Sequence, residues 1–522
     1  MSTILYYNAK IYTVNASFDL ADALIIESGK IIFVGTLAEI PTIEIKERID
    51  CKNAYIYPGF IDPHCHFIDL GKSYFTAPLY ETRSFEEVLE RCATFQQTNN
   101  SLWLLGRGWN QNDWTNKELP NKKILDQLFP DIPVLLIRID SHVGLLNQKA
   151  IELTQVIQAH FIEEKQVELK EGIATGIIYD KALYHVLEFV KPDAATKSLY
   201  IQKATDICLS HGLTSVGDAF MTYEDFEVYK QLNELNQLRI QVYGMMVPSK
   251  ENKAYLVAHG VYKNQLLHIN ATKHFADGAL GSRGAALIEP YSDAPDNTGM
   301  LLETDAYWIE EAQFCIDHQL QMITHAIGDA ANKRIIQLYK KFLSKQSTNR
   351  WRIEHMQMLD EEDIQDIKEY QIVPSIQSTH GTSDYTWAIN RIGPARMKKS
   401  YRVKDLLDAC GYIVNGSDFP IEKANPLRGF YASITRQSDE GLPEGGFDPS
   451  QKISREAALK SMTIWAAYAQ FEEAEKGSLE VGKNADFVML DTDLMNCDEG
   501  QILKSKVLMT IVKGENKYGA II

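Results

Sequence analysis

Basic residues are in deficit. Lysine and arginine number 53 against 70 aspartates and glutamates, a formal net charge of -17 over 522 residues. No basic stripe or block of like charge stands out, so neither a nucleic acid nor an anionic membrane surface is expected as a partner. Apolar runs of about 18 residues, the length that spans a bilayer, are missing. The start, Met1-Ser2-Thr3-Ile4-Leu5-Tyr6-Tyr7, lacks the basic region and apolar core of a signal peptide. Cysteine is sparse and scattered, at Cys51, Cys65, Cys92, Cys208, Cys315, Cys410 and Cys497. These form no CxxC pair and no dense framework, which excludes a disulfide scaffold and predicts a cytoplasmic, reducing setting.

Hydrophobic residues make up 45% and charged residues 24%, the balance of a globular protein. The length exceeds one ordinary domain and suits a large barrel with additions; enzymes of this size are often homo-oligomers. Both ends are strand-rich. Residues 4–15 and 23–35 read as strands, the second turning at Ser28-Gly29-Lys30, and so do 485–490 and 507–512. They predict a composite β-sandwich from residues 1–57 and 475–522; two unrelated terminal decorations are the alternative. From about residue 196, helix and strand patterns alternate, as where helix 196–211 stops at Gly212 before strand 213–218. Counting 58–67, eight strands are predicted, most followed by a helix. The expected fold is α/β, a (β/α)8 TIM-type barrel over residues 58–69 and 196–474. Residues 70–195 leave that pattern. Helix 84–98 with Ser84 as cap, a glycine-rich aromatic stretch at 103–110 and strand 134–140 predict an inserted α+β domain after the first barrel strand.

The stretch Tyr57-Pro58-Gly59-Phe60-Ile61-Asp62-Pro63-His64-Cys65-His66-Phe67 carries the first chemical signal. Residues two apart on a strand share a face, so His64 and His66 present two imidazoles to one point, as metal ligands must. Cys65 takes the other face as a small core residue. Later strands also end in groups that bind metals or carry protons: Lys273 and Asp277 on the fourth, His325 on the fifth, His355 on the sixth and Asp418 on the eighth. In a TIM barrel these ends converge on one mouth, where catalytic groups sit. Such groups are rarely buried without partners.

On these residues the chain resembles the metal-dependent amidohydrolase superfamily and, within it, the YtcJ-like group that includes N-substituted formamide deformylases. The matching stretches are PGFIDPHCHF (58–67), GLTSVGDA (212–219), KHFADGALGSR (273–283), ITHAIGDAAN (323–332), RIEHMQML (352–359), VNGSDFPIE (414–422) and GKNADFVMLD (482–491). The resemblance implies the barrel, the composite β-sandwich and the insertion. It also implies that His64, His66 and Asp418 hold one metal and that His325 and His355 hold a second. Lys273, carboxylated by CO2, would bridge the two; an unmodified lysine contacting substrate or a neighbouring acid is the other reading. Zinc, as one ion or two, is the metal expected on histidine-rich ligands, with other divalent metals open.

The chemistry expected is metal-dependent hydrolysis of a non-peptide C–N bond in a small-molecule substrate, an amide or N-formyl or N-acyl amine. Asp418 would take a proton from a water whose pKa a bound metal lowers towards about 7, then pass it to the leaving nitrogen. Two alternatives stay open: hydrolytic deamination of an aminated heterocycle, and a non-catalytic metal- or ligand-binding barrel. Around the mouth, Asp140, His142, Asp277, Arg283, His380 and Trp109 are candidates for substrate contact. Arg283 could instead hold its loop, His142 could be an ordinary loop histidine, and Trp109, like Trp114, could simply pack. Glu354 is expected to face away from the mouth and form a structural salt bridge.

Overall fold

Short apolar runs buried on both faces make the strands of a parallel sheet. In the computed structural model, which describes residues 3–99 and 102–520, eight such runs pair in chain order. They are Phe60–Cys65 (β1), Leu213–Met221 (β2), Gln241–Met246 (β3), Leu267–Phe275 (β4), Gln321–Ala326 (β5), Arg352–His355 (β6), Val373–Ile376 (β7) and Val414–Asn415 (β8). Every neighbouring pair from β1 to β8 is parallel. A layer of Ala219, Tyr243, Met245, Ala271 and Ile323 packs together among these strands, as the filled interior of such a barrel requires. Level with Ile323, Arg352 reaches across, its guanidinium donating to the Pro63 carbonyl at 3.0 Å and to Glu354.

The ring is nearly closed, and its seam lies between β8 and β1. No ladder joins those strands. The loop after β8 does so instead: the Asp418 N–H donates to the His64 carbonyl at 2.9 Å and the His66 N–H to that of Phe419 at 2.7 Å. Asp62, fully buried, fastens the same seam. It accepts from the Ser417 hydroxyl at 2.6 Å, the Ser417 N–H at 3.2 Å and the His64 N–H at 3.1 Å. Burial pushes the Asp62 carboxyl up to about 7, against the pull of those donors.

Helices follow the strands and carry legible end signals. Thr222 and Asp225 cap Tyr223–Glu234 reciprocally, and Gly411, at φ +80°, ends Val403–Cys410. The strand-rich ends meet in one sheet, in the order Glu515–Tyr518, Val507–Val512, Phe487–Leu490, Glu47–Pro58, Ile4–Tyr12, Leu20–Glu27 and Lys30–Gly35. All seven strands pair along a single path rather than as two separate sheets. The reason is Glu47–Pro58, twelve residues long, which pairs with Ile4–Tyr12 on one side and Phe487–Leu490 on the other.

Two compact units emerge, Met1–Phe67 with Ala204–Ile522, and Ile68–Lys203. The second holds a six-stranded sheet from Ala77–Pro78 to Val167–Lys170. Its helix Phe85–Thr98 is capped by Ser84, which accepts from the Glu87 N–H at 3.2 Å. Among the described residues, no helix is long and apolar enough to cross a membrane.

Candidate metal centre

The seam brings three side chains together by backbone alone. His64 lies one residue from the end of β1, His66 follows the strand, and Asp418 is tied to His64 by the bond just described. Asp418 Oδ1 lies 3.4 Å from His64 Nε2 and 3.3 Å from His66 Nε2. Its other oxygen lies 3.6 Å from Nε2 of His380, which sits on the helix Ser378–Met397 after β7. From β5 and β6 come His325 and His355, with ring centroids 4.5 Å apart; the His355 and His64 rings are 5.1 Å apart. Ligating atoms of His64, His355 and Asp418 all lie within 4.8 Å of one another. Lys273, fully buried on β4, puts its Nζ 3.2 Å from His64 Nε2. His64, His66, Lys273, His325, His355, His380 and Asp418 therefore form one cluster.

A second circle of residues aims these groups. Glu354 Oε2 is 2.5 Å from His64 Nδ1; a carboxylate only accepts there, so the proton sits on Nδ1 and the Nε2 lone pair faces the cluster. Gln377 does the same for His355, its carbonyl oxygen accepting from Nδ1 at 2.7 Å. Asp277 lies 3.4 Å from His325 Nε2. Two residues stand in the left-handed region, His355 at φ +76° and Asp418 at φ +61°. Such strain gathers at sites where surrounding contacts over-determine the geometry.

The electrostatics follow from burial among like neighbours. Burial, with the Lys273 charge beside it, lowers His64 to about 4. Burial, with the Arg352 charge adding to it, takes Lys273 down to about 8 against the pull of Glu354 and Asp418. Burial would raise Asp418, yet His64, His66 and His355 hold it well below the usual carboxylate range. Neutral His64 and His355 imidazoles thus stand beside an anionic Asp418 carboxylate. Among the described residues, Asp418 Oδ1 and His380 Nε2 are buried without a hydrogen-bond partner. Oriented lone pairs and an unpartnered carboxylate oxygen are the donor set a divalent cation takes, so the residues fit a metal.

Other expected contacts have different work. Asp277 is not at a substrate surface: it is buried, and its carboxylate accepts from the N–H groups of Ala286, Ile327 and Gly328 at 2.8–3.0 Å. Arg283 grips Asp293 through Nε and Nη2 at 3.0 and 2.9 Å, the loop-holding role. Trp109 packs in the core of the second unit and donates to the Leu136 carbonyl at 3.0 Å. In that same unit Asp140 pairs with Arg138, and His142 Nδ1 lies 2.7 Å from Asp180. Glu354 does form the salt bridge expected of it, with Arg352, but beneath the mouth rather than away from it. The turn of the backbone at His355 sends that ring to the mouth although the residue before it also points inward. Asp62, Ser417 and Gln377 went unread; the only sequence signal was an acid two residues before the His-x-His pair.

A parallel eight-stranded ring with histidines and a carboxylate gathered at its C-terminal mouth is the frame of a metal-dependent hydrolase. The chain belongs to the amidohydrolase family, whose sequence model matches residues 47–518, and it is an enzyme of that family. It is 28% identical to the putative amidohydrolase YtcJ of Bacillus subtilis, over 98% of this chain and 99% of that protein. Identity to the N-substituted formamide deformylase of Arthrobacter pascens is 24%, over 99% and 98%. The crystal structure of an uncharacterized metal-dependent hydrolase from Pyrococcus horikoshii superposes with a TM-score of 0.81 at 27% identity, covering 96% of this chain and 99% of that one.

Proposed function

We propose that this enzyme hydrolyses a non-peptide C–N bond in a small N-formyl or N-acyl amine. The observation that carries the reading is the convergence of His64, His355 and Asp418 within 4.8 Å at the barrel mouth. Likeness to a relative named for deformylating N-substituted formamides supports the substrate class. His64, His66 and Asp418 would hold one divalent metal, and His325 and His355 a second. Neutral imidazole and carboxylate donors favour zinc. Lys273 would join them as a carbamate: its amine adds CO2 and loses a proton, turning a donor that now competes for the His64 lone pair into an anionic ligand.

Metal bound here supplies Lewis acidity, easing proton loss from water and drawing charge onto a carbonyl oxygen. The chain's own residues do the rest. Asp418 enters as the anion and has two distinct oxygens. Oδ1 faces His64 and His66, while Oδ2 faces His380. Oδ2 takes the proton of the attacking water and hands it to the departing nitrogen, so that amine leaves as the carboxylate or formate is freed. His380 Nε2, unpartnered beside it, donates to the substrate carbonyl.

The test is turnover of N-formyl and N-acyl amines by protein stripped with chelator and then reloaded with zinc. Amine should appear only after reloading, and Asp418→Asn should lower kcat by about 10²–10⁴-fold. Ammonia release from aminated heterocycles with no amide turnover would replace this reading by deamination. Binding of metal with no turnover of either class would leave a binding protein. For Lys273, ¹³C-bicarbonate should give a carbamate resonance in the wild type that Lys273→Arg lacks.

A further inference from the structure

Beside the centre, next to His355, lies a small cavity of about 10 Å³, enough for one water. His355, Gln357, Gln377, Tyr401 and Arg436 are among the residues that line it. Arg436 is fully buried, where burial outweighs the pull of the Asp448 charge and lowers its pKa. Its Nε donates to the Phe447 carbonyl at 3.3 Å, its Nη2 to that of Tyr401 at 3.2 Å, and its plane lies 3.8 Å from the Phe447 ring centroid. Nη1 has no partner among the described residues, and neither have Gln377 Nε2 or Gln357 Oε1, all three buried. A buried arginine is costly, and so are three unpaired polar atoms on residues that line one small cavity. Two of the three are donors and one is an acceptor. That set matches one water, which accepts from Arg436 and Gln377 and donates to Gln357.

We propose that Arg436 is a positioning residue for His355, acting through one water that it shares with Gln377 and Gln357. The amide of Gln377 can face His355 in two ways. With its oxygen towards Nδ1, as here, the proton stays on Nδ1 and the Nε2 lone pair is free. Flipped, the NH2 group would demand a lone pair on Nδ1 and put the proton on Nε2, a tautomer that cannot ligate from that atom. A water pinned by Arg436 accepts from the Gln377 NH2 and so selects the first orientation. The inference rests on His355 being a metal ligand, and the experiment separates the two.

Zinc affinity is measured by competition with a chromogenic chelator, alongside the thermal midpoint, for Arg436→Met, Gln377→Met, the double variant and His355→Ala. Expected are a three- to tenfold weaker affinity for Arg436→Met and a larger loss for Gln377→Met. The double variant should be no worse than Gln377→Met alone, because the arginine acts only through the amide. A lowered midpoint with unchanged zinc affinity in Arg436→Met, or additive losses in the double variant, would overturn the proposal and leave Arg436 a packing residue. Unchanged affinity in His355→Ala would instead overturn the ligand assignment. Should Arg436→Met fail to fold, Gln357→Met removes the acceptor of the same water and carries the same expectations. A crystal structure showing a halide or no density between the three atoms would also refute it.

Discussion

At Glu354 three donors meet one carboxylate: His64 Nδ1 at 2.5 Å, the Ser375 hydroxyl at 2.6 Å and the Arg352 guanidinium. Burial works against its charge, yet Arg352 and His64 hold it well below the usual range. Glu354→Gln should therefore do two things. Zinc affinity should fall by about 10–100-fold in chelator competition, the usual effect of removing a partner behind a ligand. Chemical unfolding should also come earlier, because Arg352 is left buried without its counter-charge. This residue marks the limit of what the sequence discloses. Strand-end histidines are legible because imidazoles seldom stand at buried positions without a task. Alternation along β6, however, assigns Glu354 and His355 to opposite faces. It fails because His355 and Met356 have φ of +76° and +44°, and no glycine announces that turn.

Among the elements, β1 and β8 tell the same story with a different reason. Periodic apolar runs disclose all eight strands, but β8 is only Val414–Asn415, and the loop beyond it does the closing. Asp62, which clamps that loop, reads in sequence as a polar residue within an apolar run. Its partner Ser417 stands 355 positions away, a distance no local pattern reports. Asp62→Ala leaves three donors unsatisfied and should lower the unfolding free energy by about 2–4 kcal/mol in urea titration. Ser417→Ala removes one hydroxyl bond and should cost about 1 kcal/mol. Equal effects would mean that the carboxylate is not what fastens the seam. The strand Glu47–Pro58 escaped for a plainer cause: Glu47, Arg48, Asp50 and Lys52 interrupt its apolar pattern.

For the molecule as a whole, acid and metal should act on stability in opposite directions. Glu472 is buried with Lys476 and lies 3.2 Å from His268 Nδ1, while Lys476 donates to Ser215 at 2.6 Å. Burial opposes the Glu472 charge, but Lys476 and His268 hold its pKa below the ordinary value. A depressed carboxyl stabilises fully above the unfolded value of about 4.3, and loses that stabilisation as pH falls towards the folded value. Acid unfolding should steepen below about pH 4.3, and Glu472→Gln should flatten that slope. Metal works the other way. At a hundredfold excess over Kd, zinc should add about 2.7 kcal/mol, a rise of roughly 3 °C in the thermal midpoint of a unit this large. Every proposed ligand lies in the unit Met1–Phe67 with Ala204–Ile522, so if the units melt separately only one transition should move.

The seam also sets a schedule for synthesis. Asp62 leaves the ribosome early and its partner follows 355 residues later, roughly 20–70 s at about 5–20 residues per second. During that interval His325 and His355 join the two histidines of β1, but the carboxylate proposed to complete the centre is still missing. On the proposed ligand set, translation that stops short of β8 should yield a product without the Asp418 donor. On that ligand set, activity would wait on the synthesis of β8 and the loop beyond it.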